Sequence, residues 1–228
     1  MKIIAKIDQK RKEAAAFLLI SFLWNCAVYS GAKLITLTWH HTDVSTPLDE
    51  LIPFVSWTVI LYVSWYVFWG VNYSLCAIAR QDERDRFFCA DALAKAVCLV
   101  IFVAFPTTNV RPEIVNPSFF DKVMLLIYKL DTPDNLFPSI HCLGSWFCWI
   151  GVRRRKDISI VYRIFSLLLA VAICISTLTT KQHAIVDVIS GIVLAEVCYL
   201  FAGISRIRAL FSRINNLLFR LLRIRRDA

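Results

Sequence analysis

His183 and Asp187 stand four residues apart at the start of an apolar run. On a helix that spacing puts both side chains on one face. A carboxylate one turn from an imidazole holds one ring nitrogen and leaves the other a stronger nucleophile or base. The same pair also serves simply to stiffen a helix start by hydrogen bonding. Earlier in the chain, Ser139 and His141 open another apolar run, and Arg111 precedes a proline. Taken singly, each has an ordinary structural use: Ser139 as an N-cap, His141 as a first-turn side chain, Arg111 as a cation snorkelling to an interface. Taken together, they match the needs of phosphoryl transfer. That chemistry wants a nucleophile, a proton donor for the leaving oxygen, and cations or free backbone N–H groups around the phosphoryl oxygens. His183, His141, and Arg111 with the Ser139 turn are the groups for those roles, and no metal or other cofactor is required.

The elements that must position these residues are membrane helices. The 228 residues are 58% hydrophobic and 19% charged, with mean hydropathy +0.60. An average soluble domain is about 45–50% apolar and about 25% charged. That excess argues against a soluble globular enzyme and against a disordered chain. A bilayer core of about 30 Å needs about 20 apolar residues as a helix. The runs near 14–37, 52–78, 92–105, 139–152, 158–178 and 183–204 predict an all-α polytopic bundle of six transmembrane helices. The first run has the length and flanks of an uncleaved signal anchor. A basic N-terminal segment (1–13), the membrane domain (14–205) and a basic amphipathic tail (206–228) complete the chain. The segments 80–91 and 106–138 read as a charged turn and a proline-rich polar loop.

Charge placement gives the orientation. The net charge is +9. Lys and Arg gather in four blocks between apolar runs: Lys2 to Lys12, Arg80 to Arg86, Arg153 to Lys156, and Arg206 to Arg226. With the amino terminus inside, these blocks place nineteen Lys and Arg on the inner side, against Lys33, Arg111, Lys122, Lys129 and Lys181 outside. By the positive-inside rule both termini are cytoplasmic, and the natural partner of the basic tail is an anionic lipid surface rather than nucleic acid. The same assignment puts Arg111, Ser139, His141, His183 and Asp187 at the outer end of the bundle. His141 precedes Arg153 by only twelve residues, about 18 Å of helix, so it belongs below the outer interface, in a sunken pocket. The eight cysteines have no CxxC pairing and lie mostly inside apolar runs, as thiols. His40, His41 and Asp43 read as a polar outer loop rather than metal ligands. Glu196, in the last apolar run, should face the bundle interior beside a polar neighbour.

Phe137-Pro138-Ser139-Ile140-His141 resembles the PSxH motif of the type 2 phosphatidic acid phosphatase superfamily, and Ser176 to Asp187 (STLTTKQHAIVD) resembles its SRxxxxxHxxxD motif. Arg111-Pro112 resembles the end of its KxxxxxxRP motif. The similarity runs from about Pro106 to Ile192. It implies a phosphohistidine mechanism: His183 attacks phosphorus, Asp187 orients it, His141 protonates the leaving group, and Arg111 and Ser139 bind phosphate. It also implies an integral-membrane lipid-phosphate phosphatase, with its site on the outer side of the plasma membrane. The first motif's Lys falls at Ala104 and the third motif's Arg at Thr177. Lys181, with Ser176, is then a possible accessory to phosphate binding, and Lys122 and Lys129 are other cations within reach of the loop. The segment Asp131 to His141 resembles the inositol phosphorylceramide and sphingomyelin synthase branch. A lipid phosphotransferase, moving a phospho-headgroup to an alcohol, is therefore the alternative, with a non-enzymatic membrane protein a third reading.

Overall fold

A computed structural model gives the fold of residues 2–222 and 224, with side chains from residue 8 onward. Arg223, Arg225 and Arg226 of the basic tail, and the side chains of Lys2 and Lys6, lie outside the described residues. The chain runs α1 (Lys2–Thr36), β1 (Thr42–Asp43), α2 (Pro47–Glu50), a 3-10 turn (Ser56–Thr58), α3 (Val59–Ala77), α4 (Gln81–Ala104), β2 (Thr107–Thr108), α5 (Phe119–Leu130), α6 (Ile140–Val152), α7 (Ile160–Thr179), α8 (Ile185–Phe201) and α9 (Ser205–Leu221). It is an all-helical bundle in which the two-residue strands form one short parallel pairing, Thr42 with Thr107 and Asp43 with Thr108.

Among the described residues, four helical segments are long and apolar enough to cross a bilayer: Asp8–Thr36, Ser56–Ala77, Gln81–Ala104 and Ile160–Thr179. Helix α8 reaches that standard only together with α9, to which it is joined by a 94° bend. The apolar α6 has 13 residues, about 20 Å. Four to five membrane helices therefore stand on length and composition, against the six of the sequence reading. The difference lies in length: α6 has 13 residues between the Ser139 cap and Arg153, and α8 has 17.

The stretch 80–91 is not a turn. Helix α4 begins at Gln81, with Asp82 and Glu83 in its first turn, where carboxylates complement the helix dipole. Its charges are satisfied inside the protein. Arg84 pairs with Glu13 of α1 at 3.1 Å and lies over the Phe17 ring at 4.8 Å. Asp91 accepts from Lys95 (2.9 Å), Ser21 (2.7 Å) and Tyr73 (2.7 Å). The loop 106–138 likewise contains α5, started by a capping box in which Ser118 and Asp121 each bond the other's backbone N–H.

Helix α6 is central, packing on α3, α7 and α8, while α1 lies along α4. Phe17, Phe87, Phe88, Tyr73, Phe147 and Phe219 form the aromatic core in the half of the bundle away from His183. The eight cysteines are free, seven of them buried. Glu196 accepts from Arg153 (2.5 and 2.9 Å) and from Trp146 Nε1 (2.8 Å), so its polar neighbours are the basic block at the end of α6. Helix α9 buries Asn215 and Phe219 and exposes Arg206, Arg213 and Arg220.

Candidate functional site

The turn between α7 and α8 is folded by its own backbone. The carbonyl of Thr177 accepts the N–H groups of both Gln182 (3.0 Å) and His183 (3.1 Å). Lys181 takes a left-handed φ of 53° to make this possible. His183 is thereby held just ahead of α8. Its Nδ1 lies 3.3 Å from Asp187 Oδ2, which also accepts the Ala184 N–H at 2.9 Å. Asp187 is fully buried. Burial by itself would make His183 harder to protonate. The Asp187 hydrogen bond and charge outweigh it, and the imidazole is raised above its ordinary value.

The second imidazole arrives on α6. Thr107 Oγ1 accepts the N–H groups of Leu136 (3.0 Å) and Phe137 (2.9 Å), fixing the chain as it enters the helix. Ser139 caps α6 by accepting the Cys142 N–H (3.2 Å), and its own N–H donates to the Asp187 carbonyl (3.1 Å). This bond ties the start of α6 to the start of α8. The His141 and His183 rings then lie 6.2 Å apart, centroid to centroid. Tyr62 stacks on His141 at 4.5 Å and Trp65 leans on it at 4.8 Å. His141 Nε2 is buried and without a hydrogen-bond partner.

Two glycines permit these approaches. A Cβ on Gly144 would meet the Trp65 indole at 3.1 Å, and one on Gly191 would meet the Ser139 carbonyl oxygen at 2.7 Å. Gly191→Ala must therefore push the start of α6 away from α8. Overpacking of this kind costs about 1–3 kcal/mol, and a shift of about 1 Å in the reacting groups costs about 10²-fold in rate. Gly191→Ala is expected to lower the melting temperature modestly and turnover severely, read from thermal melting and initial rates on the same preparation.

A cleft of about 310 Å³ opens beside His183, lined among others by Arg111, Lys181, Asp43, Asp49, Glu50 and Asn109. Arg111 donates to the Tyr128 carbonyl (2.9 Å) and to Gln182 Oε1 (2.5 Å), and its guanidinium lies over the Tyr128 ring at 4.4 Å. Lys181 Nζ donates to the Asp49 carbonyl (2.7 Å). The Asp49 carboxylate accepts the Ile185 N–H at 2.7 Å, at the amino end of α8. Burial pushes this carboxyl up, but the bonds from Thr46 and Ile185 outweigh it and leave it below the usual range.

Of the residues singled out from the sequence, His141, His183, Asp187, Ser139, Arg111 and Lys181 come together at one end of the bundle. Ser176 does not join them. It is fully buried in α7 and donates to the Ile173 carbonyl at 2.7 Å, because a hydroxyl on that inward face has only its own helix to bond. Thr177, at the position of the motif's Arg, is also buried and donates to Cys174 O at 2.7 Å. Lys181 is the second cation of the cleft.

Sequence reasoning missed two supports. Gln182 is buried and holds Arg111. Asp131 accepts from Tyr29 (2.5 Å) and Tyr62 (2.9 Å), and so fixes the ring stacked on His141. Burial alone would raise the Asp131 carboxyl. The His141 charge and the two tyrosine hydroxyls overcome this and hold it below the usual range. The sequence signal for Asp131 is that it opens the segment Asp131 to His141, ten residues ahead of the imidazole.

Comparison with known proteins bears on this geometry. No curated protein and no solved structure matches the chain. A family model described as the PAP2 superfamily matches residues 35–201, a span that includes both imidazoles, Asp187, Arg111 and Lys181. With that match covering well over half of its length, the chain belongs to the PAP2 superfamily, the type 2 phosphatidic acid phosphatases, and is a phosphatase-type enzyme of lipid phosphates.

Proposed function

We propose that the protein hydrolyses a phosphomonoester or pyrophosphate lipid through a phosphohistidine on His183. The observation that carries this reading is the meeting of two imidazoles, 6.2 Å apart, one bonded to a buried carboxylate and bordered by Arg111 and Lys181. With Nδ1 held by Asp187, Nε2 of neutral His183 attacks phosphorus. The N–P bond forms, the P–O bond to the lipid breaks, and His141 gives its proton to the leaving oxygen. His141 then takes a proton from water, which attacks phosphorus, releases inorganic phosphate and restores His183. Arg111, Lys181 and the amino end of α6 behind Ser139 bind the phosphoryl oxygens.

In this reading six helices cross the membrane, with both termini cytoplasmic and the site on the outer side of the plasma membrane. The two short crossings, α6 and α8, both begin at the imidazoles, so the depth they leave unspanned is the depth of the cleft. The Arg face of α9 rests on anionic lipid at the inner surface.

Asp43, Asp49 and Glu50 on the cleft wall favour a second reading. Carboxylates there disfavour a dianionic phosphate and suit a diester or an alcohol acceptor. The enzyme would then transfer a phospho-headgroup from lipid to alcohol, with the alcohol taking the place of water. Purified protein in detergent separates the two. Release of inorganic phosphate from phosphatidic acid or a prenyl pyrophosphate, blocked by vanadate and indifferent to EDTA, supports hydrolysis. Product only when a headgroup donor and an alcohol are both present supports transfer. No product in either assay contradicts both.

The pH dependence follows from His183. Its attack requires the unprotonated ring, and its raised pKa keeps the ring protonated to higher pH than usual. The limb of the kcat/KM profile that His183 controls should therefore lie above pH 6.5, the ordinary histidine value. Asp187→Asn removes what raises it, so the limb should move to lower pH while the plateau falls. A limb that stays in place in Asp187→Asn would show that another group controls it.

A further inference from the structure

We infer that Asp131, at the end of α5, is a positioning residue for the proton that His141 delivers, acting on that imidazole through Tyr62. The role rests on the reading of His141 as the acid of the reaction. Asp131 stands where helix geometry disfavours a carboxylate. It caps the carboxyl end of α5, its N–H donating to the Ile127 carbonyl at 2.8 Å, and the dipole there favours a cation instead. It is also partly buried, and a carboxylate taken out of water needs both hydrogen bonds and a counter-charge. The hydrogen bonds are present: Tyr29 Oη donates to Oδ1 (2.5 Å) and Tyr62 Oη to Oδ2 (2.9 Å). Among the described residues its counter-charge is not a Lys or Arg. Lys33 is paired with Asp134 at 3.2 Å, and Arg111 is bonded to Tyr128 and Gln182. The cation that Asp131 lacks is a protonated His141.

The path between them is short. The Tyr62 ring stacks on the His141 ring at 4.5 Å, with 27° between the planes. A ring whose O–H donates to a carboxylate gains negative charge on its face, and an aromatic face attracts a cation. The carboxylate thus favours the imidazolium twice, by its own charge and by the polarised ring. Burial raises the Asp131 carboxyl, and the His141 charge is the largest of the effects that bring it below its ordinary range, as a mutual attraction requires. The other groups facing His141 supply no such charge. Trp65 and Tyr66 of α3 present neutral rings at 4.8 and 6.5 Å. The Cys142 thiol beside it on α6 contacts Thr177 Oγ1 at 3.6 Å. His183 lies 6.2 Å away, ring to ring, and Asp187 is committed to His183 and the Ala184 N–H. Burial disfavours a charged ring, so His141 depends on Asp131 to hold the proton it gives away. Both Asp131 oxygens accept from tyrosines, so the carboxylate supports the imidazolium without taking its proton.

The test uses the full chain in detergent on two substrates: phosphatidic acid, whose leaving alcohol is poor, and a nitrophenyl phosphate, whose leaving group is acidic and needs little proton. Wild type, Asp131→Asn, Asp131→Glu, Tyr62→Phe and His141→Ala are assayed side by side. Asp131→Asn keeps the shape of the side chain and removes its charge. It should lower kcat on phosphatidic acid by about 10²-fold and on the nitrophenyl ester by no more than about threefold, with KM for both close to wild type. The limb of the kcat/KM profile that His141 controls should move to lower pH. Asp131→Glu should recover part of kcat and of the limb position. Tyr62→Phe keeps the ring but removes its bond to Asp131, so it should show the same preference for the acidic leaving group with a smaller loss. Equal losses on the two esters in Asp131→Asn and Tyr62→Phe, with the limb in place, would make Asp131 an anchor for the loop and overturn the role. His141→Ala separates that failure from failure of the phosphohistidine reading. A preference for the acidic leaving group in His141→Ala that Asp131→Asn lacks overturns the role of Asp131 alone, whereas its absence from both removes His141 as the acid and Asp131 with it.

Discussion

His183→Ala is expected to abolish turnover, by about 10⁴-fold or more. Removing a covalent nucleophile leaves only binding and electrostatic stabilisation, and groups acting as one unit lose nearly everything when one is removed. The loss should fall on kcat. Arg111 and Lys181 remain in the cleft to bind the substrate, so affinity for a ground-state ligand such as inorganic phosphate should drop much less than rate. His141→Ala should behave differently. Its proton matters in proportion to how poor the leaving group is, so a substrate with an acidic leaving alcohol should recover most of the lost rate. A chromogenic phosphate ester compared with phosphatidic acid on the same two variants tests this. Near wild-type turnover in His183→Ala would remove the nucleophile assignment.

The largest expected effect on stability lies elsewhere, at Asp91. It and Lys95 are 1% and 2% exposed, and the carboxylate also accepts from Ser21 and Tyr73. Asp91→Ala leaves an ammonium and two hydroxyls without their acceptor in the aromatic core. Breaking one side of a buried pair costs about 3–5 kcal/mol, a large part of the roughly 5–15 kcal/mol that holds a domain together. The variant should be recovered in low yield and melt far below wild type in detergent. Replacing both charges, Asp91→Leu with Lys95→Met, should restore much of the loss, since an apolar pair of similar volume removes the unpaired charge. A double variant no better than Asp91→Ala would mean that the hydroxyl bonds of Ser21 and Tyr73 dominate instead.

These two sites differ in how far they can be read from sequence. His183 and Asp187 announce themselves because an i, i+4 spacing fixes their geometry on any helix. Ser139 and His141 do so because a polar pair opens an otherwise apolar run. The cluster at Asp91 is hidden for the opposite reason. Hydropathy sees Arg84, Asp91 and Lys95 as charges that interrupt a membrane helix. The partners that let the helix continue, Glu13 and Ser21, come from α1, about seventy residues away in the chain. Supports from loops are hidden too. Asp131 meets His141 only once Tyr62 is packed between them, and Gln182 reaches Arg111 only once the turn after α7 has closed on Thr177. The missing motif cations can be counted from the sequence, whereas the placing of Lys181 beside His183 depends on a left-handed residue that no spacing rule reports. The lengths of α6 and α8 are the remaining case. Their starts can be read from the polar turns ahead of them, but 13 and 17 residues fall short of a full crossing by length alone.

The most direct measurement is a rapid quench of wild-type enzyme during turnover, with the phosphorylated residue located by mass spectrometry under alkaline conditions that preserve phosphohistidine. One phosphoryl group on His183, formed and lost at rates compatible with turnover, and increased in His141→Ala when the substrate has an acidic leaving alcohol so that only hydrolysis is slowed, is the expected result. Phosphate on another side chain, or no labelled residue while product continues to form, would contradict it.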